Sequence, residues 1–162
     1  MRMTVALAAA FAACISCFQA PAADLPKEGA YDFMSCYSGT VSAMNFSKTH
    51  NANTSEIAGT IQTSPPGGIF DKVAFRCISL SYSADGKTTG TTVCEGIDKD
   101  GDKYMTHIVG DGTNSTRKVV AGSGKYDGLV ASGTVEAMGP FGALKPGTTQ
   151  NCSHQKGTYK LK

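Results

Sequence analysis

Few side chains in this 162-residue sequence are placed to do chemistry together. The most suggestive are Arg76 and Glu95. Asp85-Gly86 is a strong signal for a two-residue type I′ turn, and a hairpin closed there sets Cys77 opposite Cys94 and Arg76 opposite Glu95. A second tight reversal at Asp100-Gly101 extends the row to Thr106. A guanidinium beside a carboxylate on one sheet face could stabilise an anion and abstract a proton, or hold the polar group of a ligand. The plainer reading is a structural ion pair near one end of the sheet. Tyr82 and Tyr104 share that face with Ile78, Leu80, Val93, Ile97 and Ile108. It is the more apolar of the two faces and is expected to point inward, with the tyrosines as walls. Register carries this argument, because a slip of one residue exchanges the two faces.

Other motifs lead less far. Asp98-Lys99-Asp100-Gly101-Asp102 carries carboxylates at alternate positions, as a calcium loop does. The Gly and Glu that such a loop needs further on are Lys103 and Val109 here, so a solvated turn is expected. Gly122-Ser123-Gly124-Lys125 has Val119 and Tyr126 where a phosphate-binding loop needs Gly and Ser or Thr, and no helix follows. His50, His107 and His154 are scattered, with no nucleophile marked beside them. Cys77, Cys94 and His107 would share a row, but an oxidised cysteine pair is expected there rather than a metal site. No cofactor is implied. A formal charge of +2 and a charged fraction of 17% argue against a nucleic-acid partner and against a disordered tail.

The N-terminus reads as an address. Met1-Arg2-Met3 is a short basic start, Val5 to Phe18 is almost wholly apolar, and Ala20-Pro21-Ala22 offers an A-x-A cleavage pattern. The apolar run is shorter than the roughly twenty residues that span a bilayer, and no later segment is long and apolar enough to span one. Residues 1–22 are thus expected to be a secretory signal removed near Ala22, with a lipid anchor on Cys14 as the alternative. Residues 23–162 then form one domain, secreted or periplasmic. They keep Cys36, Cys77, Cys94 and Cys152, an even set that in an exported chain implies two disulfides. The type I′ register makes Cys77/Cys94 a non-hydrogen-bonded pair, whose Cα atoms approach to about 4.5 Å, a spacing suited to a disulfide. Elimination pairs Cys36 with Cys152.

After residue 30 the apolar pattern alternates in short runs separated by Gly, Asp, Asn and Pro. Eight strands are expected, at 31–42, 56–63, 72–83, 88–98, 103–110, 116–122, 129–137 and 151–161. A regular antiparallel sheet of that size closes on itself, which removes both exposed edges. Closure would also make neighbours of the strands that carry Cys36 and Cys152. The fold class is therefore all-β: an eight-stranded antiparallel barrel with two disulfides.

Val119-Val120-Ala121-Gly122-Ser123-Gly124-Lys125-Tyr126-Asp127-Gly128-Leu129 and the following strand to Val135 resemble a hairpin signature of allene oxide cyclase and dirigent-like barrels. The resemblance covers about seventeen residues closely, and the rest through strand count and turn spacing. It implies an eight-stranded barrel working without metal or nucleotide, with Tyr126 plugging one end. One of those families isomerises a fatty-acid epoxide and the other steers radical coupling. No active-site residue carries over, since the likeness lies outside the strands of Arg76 and Glu95.

These readings converge on a barrel that binds a small, partly apolar or phenolic molecule inside, with Arg76, Glu95, Thr106, Tyr82 and Tyr104 lining the site. The alternatives are a packed structural barrel without ligand, and a cofactor-free isomerase or cyclase with Glu95 as base and Arg76 as anion stabiliser. A filled interior would favour the structural alternative, and a cup the other two.

Overall fold

The computed structural model describes residues 25–111, 114–139 and 141–162. The expected leader, its cleavage point at Ala22 and the alternative anchor at Cys14 lie outside the described residues. Eight strands follow one another: β1 (Glu28–Asn45), β2 (His50–Thr63), β3 (Ala74–Ala84), β4 (Lys87–Ile97), β5 (Lys103–Gly110), β6 (Ser115–Gly122), β7 (Val130–Ala137) and β8 (Thr148–Lys160). A single 3-10 turn, Gly124–Tyr126, sits between β6 and β7. Each strand pairs antiparallel with the next, and β8 returns to β1 to close the barrel. The β1–β8 ladder runs from Glu28/Lys160 to Thr40/Thr148. The β6–β7 ladder is confined to Ser115/Val135 through Lys118/Ser132.

Both disulfides form as expected, Cys36–Cys152 and Cys77–Cys94, with Cα separations of 4.1 and 4.0 Å. They lie on opposite sides of the wall. Cys77 and Cys94 are buried and face inward, whereas Cys36 is exposed on the outer surface of the β1–β8 seam. Two disulfides suit an oxidising compartment. Among the described residues, no helix is long and apolar enough to cross a membrane.

The register of β3 with β4 is the one set by the Asp85-Gly86 turn, where both residues have positive φ, 48° and 79°. The register of β4 with β5 is not. The chain reverses with Gly101 at φ 87° and hydrogen bonds from the Gly101 amide to the Asp98 carbonyl and from the Asp98 amide to the Asp102 carbonyl. This is a type I turn followed by a bulge rather than a two-residue turn, and it slips β5 by one position. Cys94 therefore faces Thr106, and Glu95 faces Met105.

The two ends of the barrel differ. The β2–β3 connection, the Asp98–Asp102 turn and the 3-10 turn all fall at one end, and close it. Ile69, Phe70 and Val73 from the connection fold inward and are fully buried. Phe70 sits at the centre, with ring centroids 5.2 Å from Tyr31, 5.6 Å from Phe33, 5.1 Å from Tyr104 and 6.2 Å from Tyr126. Tyr126 is fully buried at this end and plugs it, donating from its hydroxyl to the Ile69 carbonyl at 3.1 Å. Burial raises its phenol pKa, and the nearby Asp98 carboxylate raises it further.

Asp98 is not the solvated turn residue expected; its side chain is 1% exposed. Oδ1 accepts the amides of Asp100 and Asp102 at 2.8 and 3.0 Å, and Oδ2 pairs with Lys125 Nζ at 2.6 Å. Burial alone would raise this carboxyl, but Lys125 and the two amides outweigh it and hold the pKa below the ordinary value. The pair ties the β4–β5 turn to the 3-10 turn across the closed end.

Two predictions follow from closure. Cys36–Cys152 spans 116 residues of sequence and Cys77–Cys94 spans 17. On the chain-entropy argument their loss costs about 4–5 and about 3 kcal/mol. Thermal unfolding should therefore give a lower Tm to Cys36→Ala/Cys152→Ala than to Cys77→Ala/Cys94→Ala; the reverse order would show that the local hairpin matters more than the seam. The depressed pKa of Asp98 means that the unfolded chain, titrating near 3.8, takes up the proton first as pH falls. The stabilisation is complete above that value and is lost as pH drops through the folded pKa. Urea unfolding between about pH 7 and about pH 2 should show a steeper acid loss in the wild type than in Asp98→Asn, already weaker at neutral pH. Parallel curves would remove Asp98 from the closure.

Candidate functional site

Inward positions alternate along each strand. On β1 they are Tyr31, Phe33, Ser35 and Tyr37; on β3, Phe75, Cys77 and Ser79; on β5, Tyr104, Thr106 and Ile108. The aromatic residues crowd the closed end, and Ser, Thr and small aliphatic residues take over towards the other. The result is a cup holding a cavity of about 350 Å³, within the range of small-molecule sites. Its wall mixes the hydroxyls of Ser35, Ser55, Ser79 and Thr106 with the apolar surfaces of Ile57 and Phe75.

Glycine makes room for the rings at the floor. Gly96 lies directly across from Tyr104 in the β4–β5 ladder, and a Cβ there would stand 2.5 Å from the ring carbon that bears the hydroxyl. The ring thus lies flat over the Gly96 backbone. Burial pushes the Tyr104 phenol up to about 12, and the charge of Arg117 opposes that shift.

The structure divides the expected site. Thr106 and Tyr104 are inside, 2% and 4% exposed. Arg76, Glu95 and Tyr82 are outside. Arg76 Nε donates to Glu56 Oε1 at 2.8 Å, Glu95 Oε1 accepts from Lys103 Nζ at 3.2 Å, and all these side chains are more than half exposed. The expected inner face was therefore inverted on β3 and β4. Ile78, Leu80, Tyr82, Val93 and Ile97 face outward as an exposed apolar patch. The physical reason is volume. Rings from β1, β5 and the β2–β3 connection already fill the closed end, so beyond Phe75 the strands β3 and β4 present small residues and a disulfide inward. The slipped turn then moves Tyr104, Thr106 and Ile108 into the Cys94 row and turns His107 outward, 2.7 Å from Thr91 Oγ1. No corner of Cys77, Cys94 and His107 forms. Among the described residues no three His, Cys, Asp or Glu side chains are grouped to hold a metal.

The charged residue that does line the cavity is Arg117 on β6, which the sequence reading did not single out. It is 2% exposed. Its guanidinium lies 4.4 Å from the Phe70 centroid and 5.4 to 5.5 Å from those of Tyr31, Phe33 and Tyr104. Neither Nη1 nor Nη2 has a partner at full hydrogen-bonding geometry, although the Tyr104 hydroxyl lies close enough for the guanidinium to hold its phenol pKa down through charge and hydrogen bonding. Beside it in the lining, Gln155 Nε2 donates to Ser35 Oγ at 3.1 Å and to Ser153 Oγ at 3.0 Å, and Oε1 has no partner. The available signal was the pair Arg117-Lys118 within an alternating strand, since one of two adjacent basic residues must face inward.

Gly96→Ala tests the floor. The added methyl should displace Tyr104 and lower stability by about 1–3 kcal/mol in urea unfolding; a change within about 0.5 kcal/mol would contradict this packing.

Comparison with protein-family models, with curated proteins and with solved structures gives no match.

Proposed function

We propose that this chain is a secreted or periplasmic barrel that binds one small, partly apolar molecule inside the cup. The observation that carries the reading is the cavity itself. A packed structural barrel would fill its interior with side chains, whereas here about 350 Å³ remains between an aromatic floor and a lining of hydroxyls and short aliphatics. Tyr104 and Thr106 stay in the site. Arg76, Glu95 and Tyr82 leave it, because their exposure places them on the other side of the wall. The same finding weakens the isomerase or cyclase reading, since Glu95 was its base and the described lining holds no carboxylate or imidazole. The apolar leader with its A-x-A pattern and the two disulfides support export. Kinship with allene oxide cyclase and dirigent-like barrels belongs to the same proposal, supported by residues 119–135 and by the buried Tyr126 plug.

A neutral fluorescent probe, N-phenyl-1-naphthylamine, tests the cup. Its emission should rise on titration and saturate at one probe per chain. Ser79→Phe, which projects a ring into the cavity, should abolish the rise while leaving Tm within a few degrees. An absence of saturable binding would favour the packed barrel. Binding that Ser79→Phe leaves intact would lie on the outer apolar face and overturn the reading.

A further inference from the structure

An arginine held inside a barrel without a counter-charge is expensive. Removing a guanidinium from water costs several kcal/mol unless charge pairing or hydrogen bonds restore it. The four surrounding rings restore part, since each cation–π contact contributes about 0.5–2 kcal/mol. They do so through the faces of the rings and leave Nη1 and Nη2 without a well-formed hydrogen bond, with the Tyr104 hydroxyl as an uncharged polar neighbour. An apolar side chain of similar length would fill the same space without that deficit. No Asp or Glu lies in the described lining to answer the charge, and Arg117 takes part in none of the ion pairs found elsewhere on the barrel.

The geometry points to Arg117 as the anchor for a carboxylate on the bound molecule. The inference rests on the interior-binding reading and adds the class of ligand: a monoanionic acid with an apolar body. The parts fit. A guanidinium presents two parallel N–H donors that match the two oxygens of a carboxylate. One buried positive charge balances one negative charge, whereas a phosphate dianion would bring a second charge into the same apolar surroundings unanswered. The hydroxyls of Ser35, Ser153 and Thr106 line the cavity as further polar groups. Ile57 and Phe75 receive the body of the ligand. The Tyr104 hydroxyl, uncharged at ordinary pH, can offer the guanidinium a hydrogen bond but no counter-charge.

The test is a matched pair of probes, 4-phenylbutyrate and 4-phenyl-1-butanol, titrated by calorimetry at neutral pH into wild type, Arg117→Met and Arg117→Lys. The wild type should bind the acid at least about tenfold more tightly than the alcohol. Arg117→Met should bind both alike, with the acid weakened and the alcohol unchanged. Arg117→Lys should keep a reduced preference, having the charge without the fork. Circular dichroism melts check that the variants fold, and the wild-type comparison needs no variant. Binding of the alcohol with no gain for the acid, or a preference that survives Arg117→Met, overturns the carboxylate assignment and leaves interior binding standing. Failure of the wild type to bind either probe overturns both.

Discussion

Everything in this fold depends on the sheet meeting itself. An open eight-stranded sheet would leave two edges of unpaired amides and carbonyls, and one of its faces would have nothing to cover it. Closure pairs β1 with β8 along most of their length and converts the inner face into a space that only side chains or a ligand can fill. The rest follows from how that space is used. Rings from β1, β5 and the β2–β3 connection converge on Phe70 at one end. The remaining inner positions are then free to be small, and a cavity results. The Asp98–Lys125 pair and the Tyr126 plug hold the closed end in place.

Architecture was legible because its signals are local. Asp85-Gly86 names its turn type, that turn aligns Cys77 with Cys94, and the leftover cysteines then report closure. Strand positions could be read from alternation to within three residues except at β2, which begins at His50 where a loop to Ser55 was expected, and β5 begins and ends where expected. The site was less legible, for two physical reasons. Asp100-Gly101 supports either a two-residue turn or a bulged one, and the choice moves every following side chain to the other face. The assumption that the more apolar face points inward also fails here. Ile78, Leu80 and Val93 look outward because the interior is already occupied by rings delivered from elsewhere in the chain. The segment that delivers Phe70 reads as an ordinary loop, since nothing in Gly-Ile-Phe announces that it will fold inward.

The interior that results is chemically simple. Hydroxyls and aliphatic surfaces line it, a disulfide crosses one wall, and the guanidinium of Arg117 lies over the aromatic floor. Its described residues include no carboxylate and no imidazole. Burial lifts the Tyr104 phenol to about 12.

The unequal ladders give the wall a grain. Where β8 meets β1 the strands are bonded over a long stretch and bridged by sulfur on the outside. Where β6 meets β7 the bonding stops at Lys118/Ser132, and a bulge on the other flank of β6 already loosens its alignment with β5. Thermal breathing concentrates where the fewest hydrogen bonds must break together. The staves most ready to part therefore flank Arg117, so the same fluctuation that loosens this side of the wall also shifts its guanidinium against the rings that hold it.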